Sequence, residues 1–115
     1  MRTAKEIANQ YFDLSNQSDI DSIRELFTES TTYSSQNTGI YLGADAVCSI
    51  QSVFHDSFNE LHWAVNSCEE VKPGIILFDY TFTGFKKTGE QVTSNGLEYI
   101  VVQNEKIIHI GIRNK

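Results

Sequence analysis

The sequence predicts an α+β fold in which a curved antiparallel sheet wraps around three N-terminal helices. Apolar residues recur at helical spacing in the first half of the chain, whereas apolar and polar residues alternate in the second half. Helices that are separated along the chain from a run of strands favour this class over a doubly wound sheet. With 115 residues the chain is long enough for one hydrophobic core, so residues 1–115 are expected to form a single domain.

The first helix is predicted over residues 3–15. Thr3 and Glu6 have the spacing of a capping box, in which each side chain bonds the backbone N–H of the other residue. One face of this helix carries Ala4, Ile7, Ala8, Tyr11 and Leu14. Tyr11 is therefore expected to point inward, where a tyrosine hydroxyl usually finds a hydrogen-bond partner.

Two further helices are predicted before the main run of strands. Residues 16–18 break the first helix, and a shorter helix covers residues 20–27. The third helix begins at Ala44 or Asp45 and ends near Phe58. Gln51 and His55 are expected on its solvated side. Its apolar side carries Val47, Ile50, Phe54 and Phe58.

Five strands are predicted, and the last two are apolar on both faces. The first covers residues 30–35, and the others begin at residue 61 or cover residues 75–85, 91–103 and 107–113. One face of the last two strands must cover the helices, and the other is a large apolar surface that carries His109. Such a surface predicts a homodimer formed by sheet-on-sheet packing. Sedimentation as a monomer at micromolar concentration would contradict this expectation.

Composition and charge disfavour several classes of function. The net charge of −6 argues against nucleic acid and against an anionic membrane surface, because both attract clustered Lys and Arg. The two cysteines form no CxxC motif and are expected to be reduced. No metal-ligand cluster or nucleotide-binding loop is evident, so neither a metal nor a cofactor is expected. Without a signal segment or a run of roughly 20 apolar residues, a cytoplasmic location is the default expectation.

Glu98 is the most unusual residue of the sequence. It stands in an apolar strand, in phase with Ile100 and Val102, and this phase is expected to face the helices. A carboxylate in such a position needs either a partner or a shifted pKa. Glu98 is therefore expected in a cavity, protonated or hydrogen-bonded.

The order and spacing of several short segments resemble the nuclear transport factor 2-like superfamily, in particular its SnoaL-like and ketosteroid-isomerase-like members. The segments are YFDLSNQSDID at 11–21, LF at 26–27, LGADAV at 42–47, GLEYI at 96–100 and KI at 106–107. The resemblance covers nearly all of the chain. It implies a cystatin-like cone of curved sheet and helices around a central cavity, and dimerisation through the sheet.

The resemblance also implies roles for two residues. Ketosteroid isomerases have a tyrosine in the first helix, eight residues before an aspartate, and Tyr11 stands eight residues before Asp19. They also have a carboxylic acid on the penultimate strand, where Glu98 stands. In that family both groups donate hydrogen bonds to a developing oxyanion. Tyr11 and Glu98 are thus expected to polarise a carbonyl or hydroxyl group.

The third part of the ketosteroid isomerase site has no counterpart in this chain. The proton-shuttling aspartate of that family lies at the end of the first strand, and the corresponding position here is Ser35. No carboxylate stands in residues 30–42. A serine hydroxyl is no general base near neutral pH without activation, which argues against a steroid isomerase of the usual mechanism.

His62 is the candidate for the missing base. His62 and Asn66 point to the same face of their strand, and some SnoaL-like members have similar His and Asn spacing. However, Leu61, Trp63 and Val65 form the more apolar phase, which favours an outward His62. Both orientations remain open from the sequence.

Three functions are compatible with these residues. The first is a small-molecule isomerase, dehydratase or cyclase that uses Tyr11, Glu98 and His62. The second is a non-catalytic module that binds an apolar small molecule, and the third is a dimeric interaction module in which Glu98 only satisfies the core. The residues expected to contact a ligand are Ser35, Tyr33, Phe54, Trp63, Ile100 and Ile110.

Overall fold

The computed structural model describes residues 2–115 and shows helices followed by a sheet, as predicted. The helices are α1 (Ala4–Asn16), α2 (Ile20–Arg24) and α3 (Ala44–Asp56). The strands are β1 (Phe27–Ser35), β2 (Gly39–Leu42), β3 (Phe58–Lys72), β4 (Ile75–Lys86), β5 (Gln91–Gln103) and β6 (Lys106–Asn114). The α+β class is confirmed, and the capping box of α1 is present: the Thr3 hydroxyl accepts from the Glu6 N–H at 3.1 Å.

All six strands belong to one sheet in the order β2-β1-β6-β5-β4-β3. Every ladder is antiparallel except that between β1 and β6, which is parallel. The sheet is therefore mixed rather than wholly antiparallel. The short edge strand β2 was not predicted, because its four residues overlap the expected loop before α3.

The second helix is shorter than its apolar stripe predicts, because β6 pairs with the residues that follow it. The Ile107 N–H donates to the Leu26 carbonyl at 2.7 Å, and Phe27 pairs with Ile107. The buried Thr31 donates its hydroxyl to the Ile107 carbonyl at 2.6 Å. These contacts convert the end of the expected helix into the start of β1.

The core lies between α1 and the inner face of the sheet. Helix α1 contacts β3, β4, β5 and β6, and α3 contacts β1, β2 and β3. The fully buried residues at this contact are Ile7, Ile76, Phe78, Ile100, Ile107 and Ile110. Glu98, Ile100 and Val102 all face inward, as the alternation in β5 predicts.

A β-bulge in β6 changes which of its side chains face the core. Val101 pairs with His109 and Val102 pairs with Ile107, so Ile108 is the extra residue. Ile107 and Ile110 are consequently both buried, whereas Ile108 is only half-buried. His109 lies on the outer face, as expected, and its Nδ1 is 2.7 Å from the Thr32 hydroxyl.

The outer face of the sheet carries a group of half-buried apolar side chains, namely Ile75, Leu77, Leu97, Tyr99, Val101 and Ile108. A homodimer through this face stays a prediction. No helix within residues 2–115 has the length and apolar character needed to cross a membrane.

Position 96 requires a glycine, because the ring of Tyr80 occupies the space of a side chain there. The two residues are cross-strand partners, and a Cβ at position 96 would overlap the Tyr80 hydroxyl and ring edge. Replacing Gly96 with alanine should therefore lower the free energy of unfolding by about 1–3 kcal/mol, the usual cost of overpacking. Urea denaturation measures this change.

Gly111→Ala provides the matched control on the neighbouring strand. A Cβ at Gly111 would meet only the ring of His109, whose Nε2 atom would be 3.2 Å away, and that ring can move. Equal stability losses in Gly96→Ala and Gly111→Ala would contradict the assigned role of the Tyr80 contact.

Candidate ligand cavity

A cavity of about 370 Å³ lies between α1, α3 and the inner face of the sheet. Its buried lining includes Tyr11, Ser15, Tyr33, Ser35, Gln51, Tyr80 and Glu98. Its exposed lining, which forms the opening, consists of Asn37, Thr38, Ser94 and Asn114. This volume is in the range typical of small-molecule sites.

Glu98 is the buried acid of this cavity, with only 3% of its surface exposed. Among residues 2–115 its Oε2 atom has no hydrogen-bond partner. Burial raises the pKa of Glu98 from 4.5 to about 8, because an ionised carboxylate loses its hydration there. At neutral pH the group is therefore mainly a carboxylic acid, which can donate a hydrogen bond into the cavity.

Three tyrosines surround this acid. Burial raises the pKa values of Tyr11, Tyr33 and Tyr80, and the negative charge of an ionised Glu98 raises each of them further. All three hydroxyl groups are consequently neutral at physiological pH. The buried end of the cavity thus carries several hydrogen-bond donors around one carboxyl group.

Gln51 fixes the hydroxyl group of Tyr11. The Gln51 Nε2 donates to the Tyr11 oxygen at 2.6 Å, so the tyrosine proton is available to another acceptor. The Oε1 atom of Gln51 is buried and has no partner among the described residues. Buried polar atoms are rarely left unpaired in folded proteins. Gln51 and Glu98 therefore mark the polar part of the cavity.

An aromatic wall, formed by Phe54, Phe58, Trp63 and Phe82, closes another side. Ring centroids within this wall are 4.9 Å apart for Trp63 and Phe82 and 5.1 Å apart for Phe54 and Phe58. The rings are tilted or edge-on to each other, which is the favoured arrangement. This packing makes the wall apolar and resistant to collapse.

His55 and Lys86 are the half-buried basic residues of the lining. The Nδ1 atom of His55 is 2.8 Å from the hydroxyl of Ser18, and its ring lies 5.3 Å from that of Trp63. Burial lowers the pKa of His55 from 6.5, and this effect exceeds the opposing one of Asp56. Lys86 pairs with Glu90 at 3.6 Å.

The structure brings together most of the residues that the sequence singled out. Tyr11, Glu98, Ser35, Tyr33, Phe54 and Trp63 all line the one cavity. Ile100 and Ile110, expected to contact a ligand, are fully buried in the core and do not line it. The Ser35 hydroxyl accepts from the Asn37 N–H at 3.2 Å, so it is held in the turn after β1.

His62 does not belong to the cavity. Its side chain is exposed, and it lies on the opposite face of β3 from Trp63, because successive strand residues alternate. Asn66 is likewise exposed and donates to the Thr81 hydroxyl at 3.0 Å. The candidate role of His62 as base is therefore excluded from the site described here.

Gln51 and His55 are the site residues of α3 that the sequence did not reveal. Both were expected on the solvated side of α3, yet they line the cavity, and the core residue Val47 is buried on the same side of the helix. Their spacing of four and eight residues from Val47 was the available signal, since such positions share a helix face. Val53 of the same helix, although apolar, is 66% exposed. Other lining residues outside α3 were not foreseen either, among them Ser15, Tyr80, Phe82 and Lys86.

No cluster of three or more His, Cys, Asp or Glu side chains suited to a metal ion occurs within residues 2–115. The lining residues are mainly aromatic and hydroxyl-bearing. Such a lining is suited to contact with an organic molecule.

Comparison with known proteins places the chain in a family. The family model of the SnoaL-like domain matches residues 8–110. No significant match to the sequence occurs among curated proteins.

Solved structures share the fold at low sequence identity. A candidate SnoaL-like polyketide cyclase from Jannaschia sp. CCS1 is 15% identical with a TM-score of 0.82, over 95% of this chain and 83% of that one. An LEH-like epoxide hydrolase from M. tuberculosis is 9% identical with a TM-score of 0.84, over 97% and 82%. A protein from Catenulispora acidiphila with a ketosteroid isomerase-like fold, in complex with trimethylamine, is 12% identical with a TM-score of 0.84, over 96% and 85%.

These similarities agree with the cone-like arrangement of helices and curved sheet around a cavity. The match to the family covers most of the chain, from the middle of α1 to the middle of β6. The chain therefore belongs to the SnoaL-like domain family, within the nuclear transport factor 2-like superfamily.

Proposed function

We propose that this protein binds a neutral, mostly apolar small molecule and donates hydrogen bonds to one of its oxygen atoms from Glu98 and Tyr11. The observation that carries this proposal is the buried Glu98 carboxyl, whose Oε2 has no partner among residues 2–115 and which lines a cavity of about 370 Å³. A ligand oxygen at this end of the cavity would accept a hydrogen bond from the Glu98 carboxyl group. The aromatic wall would hold the apolar part of the same molecule.

The charges of the lining favour a neutral ligand. Within the described lining, Lys86 is the single lysine, and its side chain is 43% exposed and paired with Glu90. A carboxylate ligand at the buried end would lose its hydration without gaining a cation. A carbonyl oxygen, in contrast, accepts hydrogen bonds from the neutral acid and from the tyrosine hydroxyl.

The same donors could assist a reaction. Hydrogen bonds aimed at a carbonyl oxygen stabilise negative charge that develops there, which is the requirement of isomerases, dehydratases and cyclases that form enolates. The structural relatives described as a candidate polyketide cyclase and an epoxide hydrolase favour a small organic molecule as the ligand. Ser35 cannot serve as the base near neutral pH, so Glu98, Tyr11 and Ser35 alone provide binding and polarisation.

A purely structural role for Glu98 is less well supported. Such a role requires that protein groups satisfy the carboxyl, for example the hydroxyl of Tyr11. Within residues 2–115 no hydrogen bond joins Tyr11 to Glu98, and the Glu98 Oε2 has no partner. An unpaired buried acid lowers stability, which is hard to explain without a ligand.

Ligand binding should depend on the protonation state of Glu98. The neutral ketone 2-acetylnaphthalene, which combines two apolar rings with one carbonyl, should bind and change the fluorescence of Trp63, the sole tryptophan. Because Glu98 donates only when protonated and its pKa is about 8, affinity should be constant below pH 8. Above it, affinity should fall by about tenfold per pH unit.

Two variants test the assignment of this pH dependence. Glu98→Gln keeps an N–H donor that does not ionise, so its affinity should stay constant above pH 8. The control Glu69→Gln removes an exposed acid of β3 and should behave like the wild type. Absence of binding, or a wild-type affinity that is unchanged from pH 6 to pH 10, would refute the proposed role of Glu98.

The stability of the protein should also depend on the protonation state of Glu98. The pKa of Glu98 is raised from 4.5 to about 8 in the folded state, so the folded protein binds one more proton than the unfolded chain between these values. Stability should consequently fall by about 1.4 kcal/mol for each pH unit in this range. Glutamine does not ionise, so Glu98→Gln should not show this loss. The variant should be more stable than the wild type by about 3 kcal/mol at pH 7.

At pH 4 the two proteins should differ little, because the wild-type acid is then protonated in both states. Urea denaturation at both pH values gives the comparison, again with Glu69→Gln as the control. If Glu98→Gln destabilises the protein at pH 7, the carboxyl must have partners in the folded chain, and the structural role regains support.

A further inference from the structure

His55 occupies a position in the cavity that the proposed function does not use. It stands in the last turn of α3, lines the cavity and is half-buried. Its ring lies 5.3 Å from that of Trp63 and 6.2 Å from that of Phe54. The imidazole therefore packs against the aromatic wall, and unlike the rings of that wall it can exchange a proton near neutral pH.

Ser18 holds this ring in place. The hydroxyl of Ser18 is 2.8 Å from the Nδ1 atom of His55, and this is the ring's one hydrogen bond among residues 2–115. Ser18 is in the turn between α1 and α2, which its own N–H closes by donating to the Ser15 carbonyl at 3.0 Å. The adjacent Asp19 caps α2, so the chain is fixed on both sides of the serine.

The backbone of Ser18 adopts a conformation that glycine would adopt more easily. Its φ of 54° lies in the left-handed region, which costs a residue with a Cβ roughly 1 kcal/mol. Compared with glycine, a serine at this position lowers the stability of the folded protein but places a hydroxyl group within hydrogen-bond distance of His55. When the Nδ1–H of His55 donates to this hydroxyl, the unshared electron pair is on Nε2.

Few charged groups surround His55. Asp56 follows it on α3, and burial outweighs its effect on the pKa of the ring. The turn that carries Ser18 contributes Asp19, whose carboxylate is occupied in capping α2. The strands contribute Lys86 of β4, which is paired with a glutamate, and the buried Glu98 of β5. A neutral imidazole is thus the form expected at physiological pH.

We propose that His55 is the proton acceptor of this cavity and that Ser18 positions it, which makes the protein an enzyme for proton transfer next to a carbonyl group. This inference rests on the proposed function, since the carbonyl must be bound by Glu98 and Tyr11. The Nε2 atom takes a proton from the carbon beside the carbonyl. The C–H electron pair forms a C=C bond, and the carbonyl π electrons move to the oxygen that Tyr11 and Glu98 hold.

In a substrate with a second C=C bond beside the acidic carbon, the first step gives a dienolate. His55 then returns the proton to the far carbon of that dienolate, the electron pair on oxygen re-forms the C=O bond, the C=C bond shifts toward the carbonyl, and the isomerisation is complete. No oxidant, reductant or co-reactant is consumed in either step. The other polar groups of the lining are less suitable as bases: Glu98 is protonated below pH 8, and Lys86 is paired with Glu90. The substrate class is therefore a neutral, apolar ketone or similar carbonyl compound with an acidic C–H bond.

The test uses 5-nitrobenzisoxazole, a neutral aromatic probe of carbon deprotonation. A base removes the proton at C3, that electron pair forms the nitrile, and the N–O bond breaks to release a coloured phenolate. We expect a rate above that of buffer, rising as His55 loses its proton below pH 6.5 and falling above about pH 8, where Glu98 ionises. His55→Gln should lower kcat/KM at least about tenfold.

Ser18→Gly tests the positioning role separately from backbone strain, because glycine suits the left-handed conformation. This variant should lower kcat by about threefold or more with little change in KM. Nitrogen NMR of the imidazole should show the proton on Nδ1 in the wild type and a shift toward Nε2 in Ser18→Gly. The control His109→Gln changes a histidine on the outer sheet face and should leave the rate unchanged.

The outcomes separate this inference from the proposed function when binding of 2-acetylnaphthalene is measured on the same variants. Binding that persists in His55→Gln together with a lost reaction rate supports the proposal. Wild-type protein that binds the ketone but has no rate above buffer overturns it, as does full activity in His55→Gln. A rate that rises with an inflection near pH 8 and is lost in Glu98→Gln identifies Glu98 as the base and also overturns it. Failure of the wild type to bind the ketone overturns both the proposed function and this inference.

Discussion

The burial of one carboxyl group is the constraint on which this structure depends. Glu98 is 3% exposed on the inner face of β5, and its ionised form would lose its hydration there. The chain accommodates it as a neutral acid, at a cost in stability that rises with pH toward 8. Burial of the apolar core residues beside it offsets this cost. Among these residues are Phe78, its cross-strand partner on β4, and Ile100 on the same strand, both fully buried.

The position of the cavity follows from the residues that face inward along β5. From one end of the strand to the other these are Val102, Ile100, Glu98, Gly96, Ser94 and Val92. Large apolar side chains fill the first half of this row and pack beneath α1. Small or polar side chains follow from Glu98 onward, and the space they leave is the cavity. The neighbouring strand shows the same division, since Ile76 and Phe78 are core residues whereas Tyr80 and Phe82 line the cavity.

Much of this arrangement could be read from the sequence because it depends on local periodicity. The alternation in β5 was sufficient to orient Glu98, and the apolar stripe of α1 was sufficient to orient Tyr11. The parallel pairing of β1 with β6 and the early end of α2 could not be read, since each depends on contacts with residues far along the chain. Strand β2 and the bulge at Ile108 are local, but each is defined by its pairing with the neighbouring strand and not by a pattern within its own residues.

The site residues on α3 were missed for a different reason. A helix beside a cavity does not need an apolar residue at every inward position, so Gln51 and His55 face inward while Val53 faces solvent. An assignment based only on apolar residues therefore places the wrong side of α3 toward the sheet. Gln51 and His55, four and eight residues after the buried Val47, were a sign that this side of the helix faces a cavity.

Burial acts on the acid and the base of this cavity in opposite directions. It raises the pKa of Glu98 to about 8 and lowers the pKa of His55 from 6.5, because in each case it disfavours the charged form. Between these values Glu98 is protonated and His55 is neutral. The cavity then presents a donor and an acceptor without carrying a net charge on either group, which suits an apolar ligand that must be polarised at one oxygen. Pairs of groups whose environments move their pKa values apart are the usual basis for dividing acid and base roles in one site. In this chain a single cause, loss of water around both groups, is sufficient to produce that division.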